Sequence, residues 1–137
     1  MASEHDEVAG TRRGPNTIFV LEFDGLRICH MGDFGQASLR AEQRQAIGEV
    51  DVLFLPVGGG PTMGGRQAAE IARELAPLVV VPMHFRTEAI DFLEPPDEFL
   101  ANAAGSVERP GASEVQLDRS LGSREQPVVL LLAAPSN

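Results

Sequence analysis

The chain has no tryptophan and no tyrosine, and aromatic residues make up 5% of its 137 positions. Its core must therefore be aliphatic, filled by Val, Leu, Ile and Ala together with seven Phe. Cysteine is almost absent. Cys29 stands alone, which excludes an intrachain disulfide and fits a reducing compartment. Positive charge is scarce, with 11 Lys+Arg against 20 Asp+Glu and a net charge of −9. That balance argues against nucleic acid, whose binding depends on cationic side chains displacing counterions. It argues equally against an anionic membrane surface. A small anionic substrate stays open, because a few local arginines or a metal can reverse the field in one pocket. No apolar run approaches the roughly 20 residues that span a bilayer. The polar, acidic stretch Met1 to Gly10 is unlike a secretory leader. A cytoplasmic protein is expected.

What is present suits a single small domain. Hydrophobic residues make up 43%, the ordinary globular share. Thr17 to Phe23 reads as a strand mostly buried on both faces. Asp24-Gly25 follows as a tight turn, and Leu26 to His30 as the return strand. Ser38 is placed to N-cap a helix ending near Ile47, with Gly48 as its C-cap and Leu39, Ala46 and Ile47 on one face. Val52 to Val57 is a short apolar strand, broken by Gly58-Gly59-Gly60-Pro61. Thr62 is placed to cap a second helix that buries Ala68, Ile71, Ala72 and Leu75 and stops at Pro77. Leu78 to Pro82 is a further buried strand. Pro95-Pro96 opens a short helix through Phe99, Leu100 and Ala103. Residues 105–127 read as loop with one weak strand at Glu114 to Leu117, and Val128 to Ala133 as a last strand. Strands alternating with helices imply an α/β layer. The divisions are an N-terminal arm (1–15), an α/β core (16–104), a loop-rich segment (105–127) and a final strand (128–134).

Chemistry is sought where loops leave the C-terminal ends of buried strands. His30-Met31-Gly32-Asp33, Gly58 to Thr62, and Pro82 to Thr87 occupy such places, and His5-Asp6-Glu7 lies in the arm. The glycine run lacks the Gly-Lys-Ser/Thr of a P-loop. It is either a plain strand-to-helix turn or a place where small residues leave room for substrate, with Gly59 and Thr62 as its candidates. His84 taken alone is a loop histidine, Asp33 a turn residue, His5 a solvated one, and His30 a packed or supporting side chain.

Taken together and in order, His5-Asp6-Glu7 with Gly10, Arg13-Gly14-x-Asn16-Thr17, Asp24-Gly25-Leu26-Arg27-Ile28, His30-x-Gly32-Asp33-x-Gly35, Val52-x-x-x-Pro56-Val57-Gly58-Gly59 and Pro82-Met83-His84 resemble the metallo-β-lactamase superfamily. The nearest branch is that of the bacterial Zn-dependent hydrolase-like proteins, close to the ascorbate-phosphate lactonases. The resemblance covers roughly residues 5–100. It implies an αββα sandwich with a two-zinc site at one edge, of which this chain is the C-terminal half: one mixed sheet flanked by helices. By the same resemblance His5 would bind the first metal, Asp33 would bridge both, and His84 would bind the second. A bridging hydroxide would be the nucleophile, so Asp33 and His84 are the catalytic candidates. Arg86 is placed to face an anionic substrate.

The chain departs from that pattern in one large respect. The family's His-x-His-x-Asp-His motif is absent, since the three histidines stand at 5, 30 and 84. Neither metal then keeps the three protein ligands usual for catalytic zinc. One or no zinc is expected for this chain alone, the fallback being a single ion held by His5, Asp33 and His84 with water in the fourth position. The arm carrying His5 would be its least constrained part. A half sandwich also leaves an inner sheet face uncovered, so either the sequence is incomplete or a second copy or partner covers that face. Two further readings are a non-catalytic assembly or binding module and an unrelated α/β domain. Fold analogy does not choose among lactams, lactones, thioesters and phosphodiesters, so the expected partner is simply a small-molecule substrate.

Overall fold

Asp24 and Gly25 both adopt positive φ, 51° and 77°, the backbone that a two-residue hairpin turn requires. They join β3 (Phe19–Phe23) to β4 (Leu26–His30) in antiparallel register, Phe19 opposite His30 and Phe23 opposite Leu26. The computed structural model describes residues 1–10 and 12–134. Ahead of the hairpin, β1 (Ala2–Glu4) and β2 (Pro15–Thr17) form a small antiparallel pair. The main sheet has six strands in the order β3-β4-β5-β6-β8-β7, with β5 at Val52–Pro56, β6 at Val79–Met83, β7 at Ser106–Glu108 and β8 at Val128–Leu130. All neighbours after the hairpin are parallel, so the sheet is mixed.

Three helices cross over between strands: α1 (Ala41–Ile47), α2 (Gly65–Leu75) and α3 (Asp97–Asn102). The period-3.6 apolar stripe of α2 is buried as its spacing dictates, at Ala68, Ile71, Ala72 and Leu75. With Ile47, Phe99, Cys29, Leu53, Leu55, Val80 and Val129 it forms the larger core cluster, on one face of the sheet. Covering one such Ile or Leu contributes about 1.5–3 kcal/mol. The other face carries Val52, Val79, Val81, Val128 and Leu130, covered by Leu117 and Leu121 of the segment before β8. That segment is pinned by buried Asp51, which pairs with Arg119 (3.1 Å) and Arg124 (2.9 Å).

Several local expectations change. Ser38 and Thr62 are not caps. The N-cap positions are Arg40 and Gly64, and α1 instead gains the Gln43 side chain, whose Oε1 accepts the Arg40 N–H at 2.9 Å. Thr17 to Phe23 is not buried on both faces. Only Ile18 is buried, while Phe19, Leu21 and Phe23 are exposed because they project from the sheet face opposite the helices, which is left uncovered at β3 among the described residues. No strand forms at Glu114 to Leu117. The strand of that region is β7, whose register places Val107 opposite Val129. Nor is the arm loose. Gln36 and Gln43 exchange side-chain amide bonds at 3.0 and 2.9 Å, and they also hold Glu4 N–H and Ala2 C=O. Ala46 is exposed. Among the described residues, no helix is long and apolar enough to cross a membrane.

Candidate metal centre

The strand ends gather three loops. β4 runs into His30-Met31-Gly32-Asp33, β5 into the glycine run, and β6 into His84. The β1–β2 connection brings His5 beside the first of these. His5 Nε2 lies 3.3 Å from Asp33 Oδ2. This approach depends on Gly35. A Cβ there would fall inside the His5 backbone, and the Gly35 N–H donates to Glu4 C=O at 3.0 Å. Gly58 plays the same part for His84, because a Cβ on Gly58 would overlap the His84 carbonyl. His84 itself sits at φ 55°, left-handed backbone in a residue with a side chain. Such a conformation costs on the order of 1 kcal/mol and gathers at functional sites.

Hydrogen bonds orient the side chains. The Thr62 hydroxyl lies 3.3 Å from Gly59 C=O and 3.3 Å from His84 Nδ1. If the hydroxyl proton goes to Gly59 C=O, the Thr62 oxygen is left to accept from a His84 Nδ1–H. Asp33 is fixed through its backbone, where its N–H donates to Asn16 Oδ1 at 2.9 Å. Asn16 Nδ2 in turn donates to Met31 C=O and Ser3 Oγ at 2.8 and 2.9 Å. Asn16 was visible in the sequence only as part of an Arg-Gly-x-Asn pattern. Its role needed the fold, which brings residues 17 apart into contact.

Two clefts meet here. One, of about 370 Å³, is lined by His5, Asp6, Arg12, Arg13, Gly60 and Thr62 among others. The other, of about 530 Å³, is lined by Asn16, Phe19, His30, Asp33 and His84 among others. His5–Asp33 and Thr62–His84 are the links between them. His30 is packed: its Nδ1 accepts the Gly32 N–H at 3.1 Å and its ring stacks on Phe54 at 5.8 Å. Arg86 lines neither cleft. Its Nε and Nη2 donate to the carbonyls of Leu93 and Asp91, which commits it to holding its own loop. Gly59 is buried, and Gly60 rather than Gly59 borders the first cleft.

The donor set suits zinc in the spacing of one pair. The His5–Asp33 separation of 3.3 Å is long for a charge-assisted hydrogen bond. It matches the roughly 3.3–3.5 Å between two ligands on one tetrahedral zinc. His5 Nδ1, the ring nitrogen turned away from Asp33, is buried and has no hydrogen-bond partner among the described residues, so the support that a ligating ring draws from its second nitrogen is missing here. Among the described residues, no three His, Cys, Asp or Glu side chains are grouped to hold one ion. The arrangement is a pair, His5–Asp33, with His84 alongside, rather than the single-ion triad.

The chain resembles known proteins over much of its length. Residues 1–84 match the family described as the Beta-lactamase superfamily domain. A UPF0173 metal-dependent hydrolase from Thermococcus kodakarensis is 40% identical over 84 residues, 59% of this chain and 36% of the relative. Another from Pelotomaculum thermopropionicum is 32% identical over 122 residues, 82% of this chain and 50% of the relative. Among solved structures, a protein from Thermotoga maritima, described as a Zn-dependent hydrolase of the metallo-β-lactamase superfamily, superimposes with a TM-score of 0.74 at 38% identity. That match covers 87% of this chain and 59% of the other. The chain thus spans from about a third to a half of these two curated relatives.

Proposed function

Because the chain belongs to the β-lactamase superfamily domain family, we propose that it supplies His5, Asp33 and His84 to the zinc site of a metal-dependent hydrolase acting on a small molecule. The observation that carries this reading is the His5–Asp33 pair at 3.3 Å, with His84 on the same cleft as Asp33. The naming of the relatives as metal-dependent hydrolases supports it. When bound, zinc supplies Lewis acidity and a water acidified toward a pKa of about 7. The chain's own residues hold and orient. His5 and Asp33 offer adjacent donors, Thr62 orients the His84 ring through its Nδ1, and Asn16 sets the Asp33 turn. Three ligand side chains do not complete two catalytic zinc sites. The remaining donors come from outside this sequence, and the same partner or segment covers the open sheet face.

Calorimetric titration of Zn²⁺ into chelator-treated, untagged protein tests the reading. Concentration is read from peptide-bond absorbance, since no Trp or Tyr is present. Binding of about one zinc per chain is expected, weakened more by His5→Ala and Asp33→Ala, which remove the adjacent pair, than by His84→Ala. Absent binding, or binding indifferent to all three, would reject it.

A second reading is favoured by one specific observation. Phe19, Leu21 and Phe23, 54%, 55% and 73% exposed, form an apolar row on β3. A non-catalytic module that assembles through that row would form a stable complex without stoichiometric zinc.

A further inference from the structure

The chain contains no lysine, so all 11 of its basic side chains are arginines, set against 20 acids. Most of the arginines are committed. Arg27, Arg40, Arg44, Arg73, Arg86, Arg119 and Arg124 each donate side-chain bonds to carboxylates or carbonyls. The side chains of the other four, Arg12, Arg13, Arg66 and Arg109, are not so committed, and Arg12 and Arg13 are set apart by where they lie. Both guanidinium groups lack any hydrogen bond or ion pair among the described residues, and both line the cleft that His5 and Thr62 border.

Their placement is built rather than incidental. The Asp6 carboxylate accepts four backbone N–H groups: Val8 at 2.9 Å and Gly10 at 2.8 Å on Oδ1, Arg12 at 3.0 Å and Arg13 at 2.7 Å on Oδ2. The loop is closed again where His5 N–H donates to Gly14 C=O and Gly14 N–H to Gly10 C=O, both at 3.0 Å. Asp6 spends its acceptor capacity on amides, so it does not neutralise the two guanidinium groups beside it. Glu7 is the remaining acid on the cleft wall. A protein with a net charge of −9 thus presents two unpaired arginines at the mouth of its candidate metal centre. A planar guanidinium fork matches a carboxylate or phosphoryl group through paired N–H···O bonds.

We propose that Arg12 and Arg13 bind an oxoanion, carboxylate or phosphoryl, carried by the substrate, and so fix its reactive bond beside His5, Asp33 and His84. This names the substrate class of the hydrolase reading and rests on it. The role is one of binding and specificity: the arginines hold the charged end of the substrate, while the other end reaches the metal ligands.

Titration of the full chain with inorganic phosphate and with acetate, each followed by amide NMR in the presence of chelator, tests the proposal without metal. Phosphate or acetate is expected to shift the amides of Arg12, Arg13 and Gly60. The Arg12→Ala/Arg13→Ala double variant should weaken that binding by about tenfold or more. Arg12→Lys/Arg13→Lys should fall between the two, because it keeps charge but loses the fork. Arg66→Ala, whose side chain borders neither cleft, should leave binding unchanged. The Gly10 amide bonded to Asp6 reports whether the loop still folds in each variant. Wild-type protein that binds neither anion, or anion binding equal in wild type and double-alanine variant, would overturn the proposal. Zinc titration of the same double variant separates the two readings: zinc retained with anion lost is expected, and zinc bound by wild type without any anion site sinks only this one.

Discussion

Asn16 Oδ1 accepts the backbone N–H of Asp33 at 2.9 Å, so the aspartate is positioned by a residue of β2, ahead of the hairpin. Gly32, between them in space at φ 60°, has no room for a side chain, since a Cβ would stand 2.6 Å from that same Oδ1. Asn16→Ala removes the acceptor for Asp33 and the donors to Met31 and Ser3 together. We expect a loss of about 1–3 kcal/mol in urea unfolding, the cost of leaving partly buried polar groups unpaired. Zinc affinity should fall by about tenfold to a hundredfold, as for other supporting side chains. Unchanged zinc affinity in a folded variant would remove Asn16 from the site.

Gly58 and Gly64 belong to one glycine-rich loop but differ in their surroundings. Gly58 abuts the His84 carbonyl, whereas a Cβ on Gly64 meets nothing within 4 Å. Gly58→Ala should cost on the order of 1–3 kcal/mol, as overpacking against backbone does. Gly64→Ala should cost less, about 0.5–1 kcal/mol, because it meets no clash and loses only the preference of an N-cap for glycine over alanine. Equal stabilities by chemical denaturation would show that His84 is not held by Gly58.

These two glycines mark the limit of what could be read from residues alone. The hairpin turn, β5, β6 and the buried stripe of α2 were legible because local rules govern them: positive φ at Asp24-Gly25, continuous apolar runs, and period 3.6 at Ala68, Ile71, Ala72 and Leu75. Helix starts were not. Ser38 and Thr62 have capping chemistry, yet Gln43 and the tertiary contact to His84 decided the outcome. The motif order pointed to His5, Asp33 and His84, but the orienting residues Asn16 and Gly35 act across 17 and 30 positions, and Asp6 acts by folding its own loop. Arg86 looked free in the sequence because its partners are carbonyls, which carry no sequence signature.

Burial pushes the Cys29 thiol up to about 12, against a weaker opposing pull from Arg27. A raised folded value means that the unfolded chain loses its proton first. The stabilising contribution is therefore complete below the ordinary value of 9.0 and declines as pH rises from there toward about 12. The folded protein should resist thiol alkylation at pH 8 and react only at its unfolding rate. Rapid modification of native protein would contradict a buried, protonated Cys29.

Asp51 is 3% exposed, yet its two oxygens meet Arg124 at 2.9 Å, Arg119 at 3.1 Å and the Arg27 N–H at 2.8 Å. Arg124 also donates to the carbonyls of Val50 and Ala76 at 2.7 and 3.1 Å, so the carboxylate anchors the segment whose Leu117 and Leu121 cover one sheet face. Both arginines reach solvent, which screens their loss. Asp51→Ala should therefore cost about 2–3 kcal/mol, below the 3–5 kcal/mol typical of a fully buried pair. Hydrogen exchange should quicken at Val128 and Val129 before it does in α2. A variant as stable as wild type would show that Leu117 and Leu121 hold the segment without the ion pairs.

The open side of the sheet gives the last test. Phe19, Leu21 and Phe23 project from edge strand β3 on the face opposite the helices, while Val20 packs toward the main core. Covering those three side chains gains on the order of 5 kcal/mol per copy, comparable with the freedom lost on association. Self-association of the isolated chain should therefore be weak and concentration-dependent. Leu21→Arg, on the exposed side, should leave the fold intact and shift sedimentation toward monomer. Val20→Arg, facing the core, should instead unfold the hairpin. If Leu21→Arg sediments as wild type does at every concentration, the apolar row is not a contact surface between copies, and its cover must come from a different chain or from sequence beyond this one.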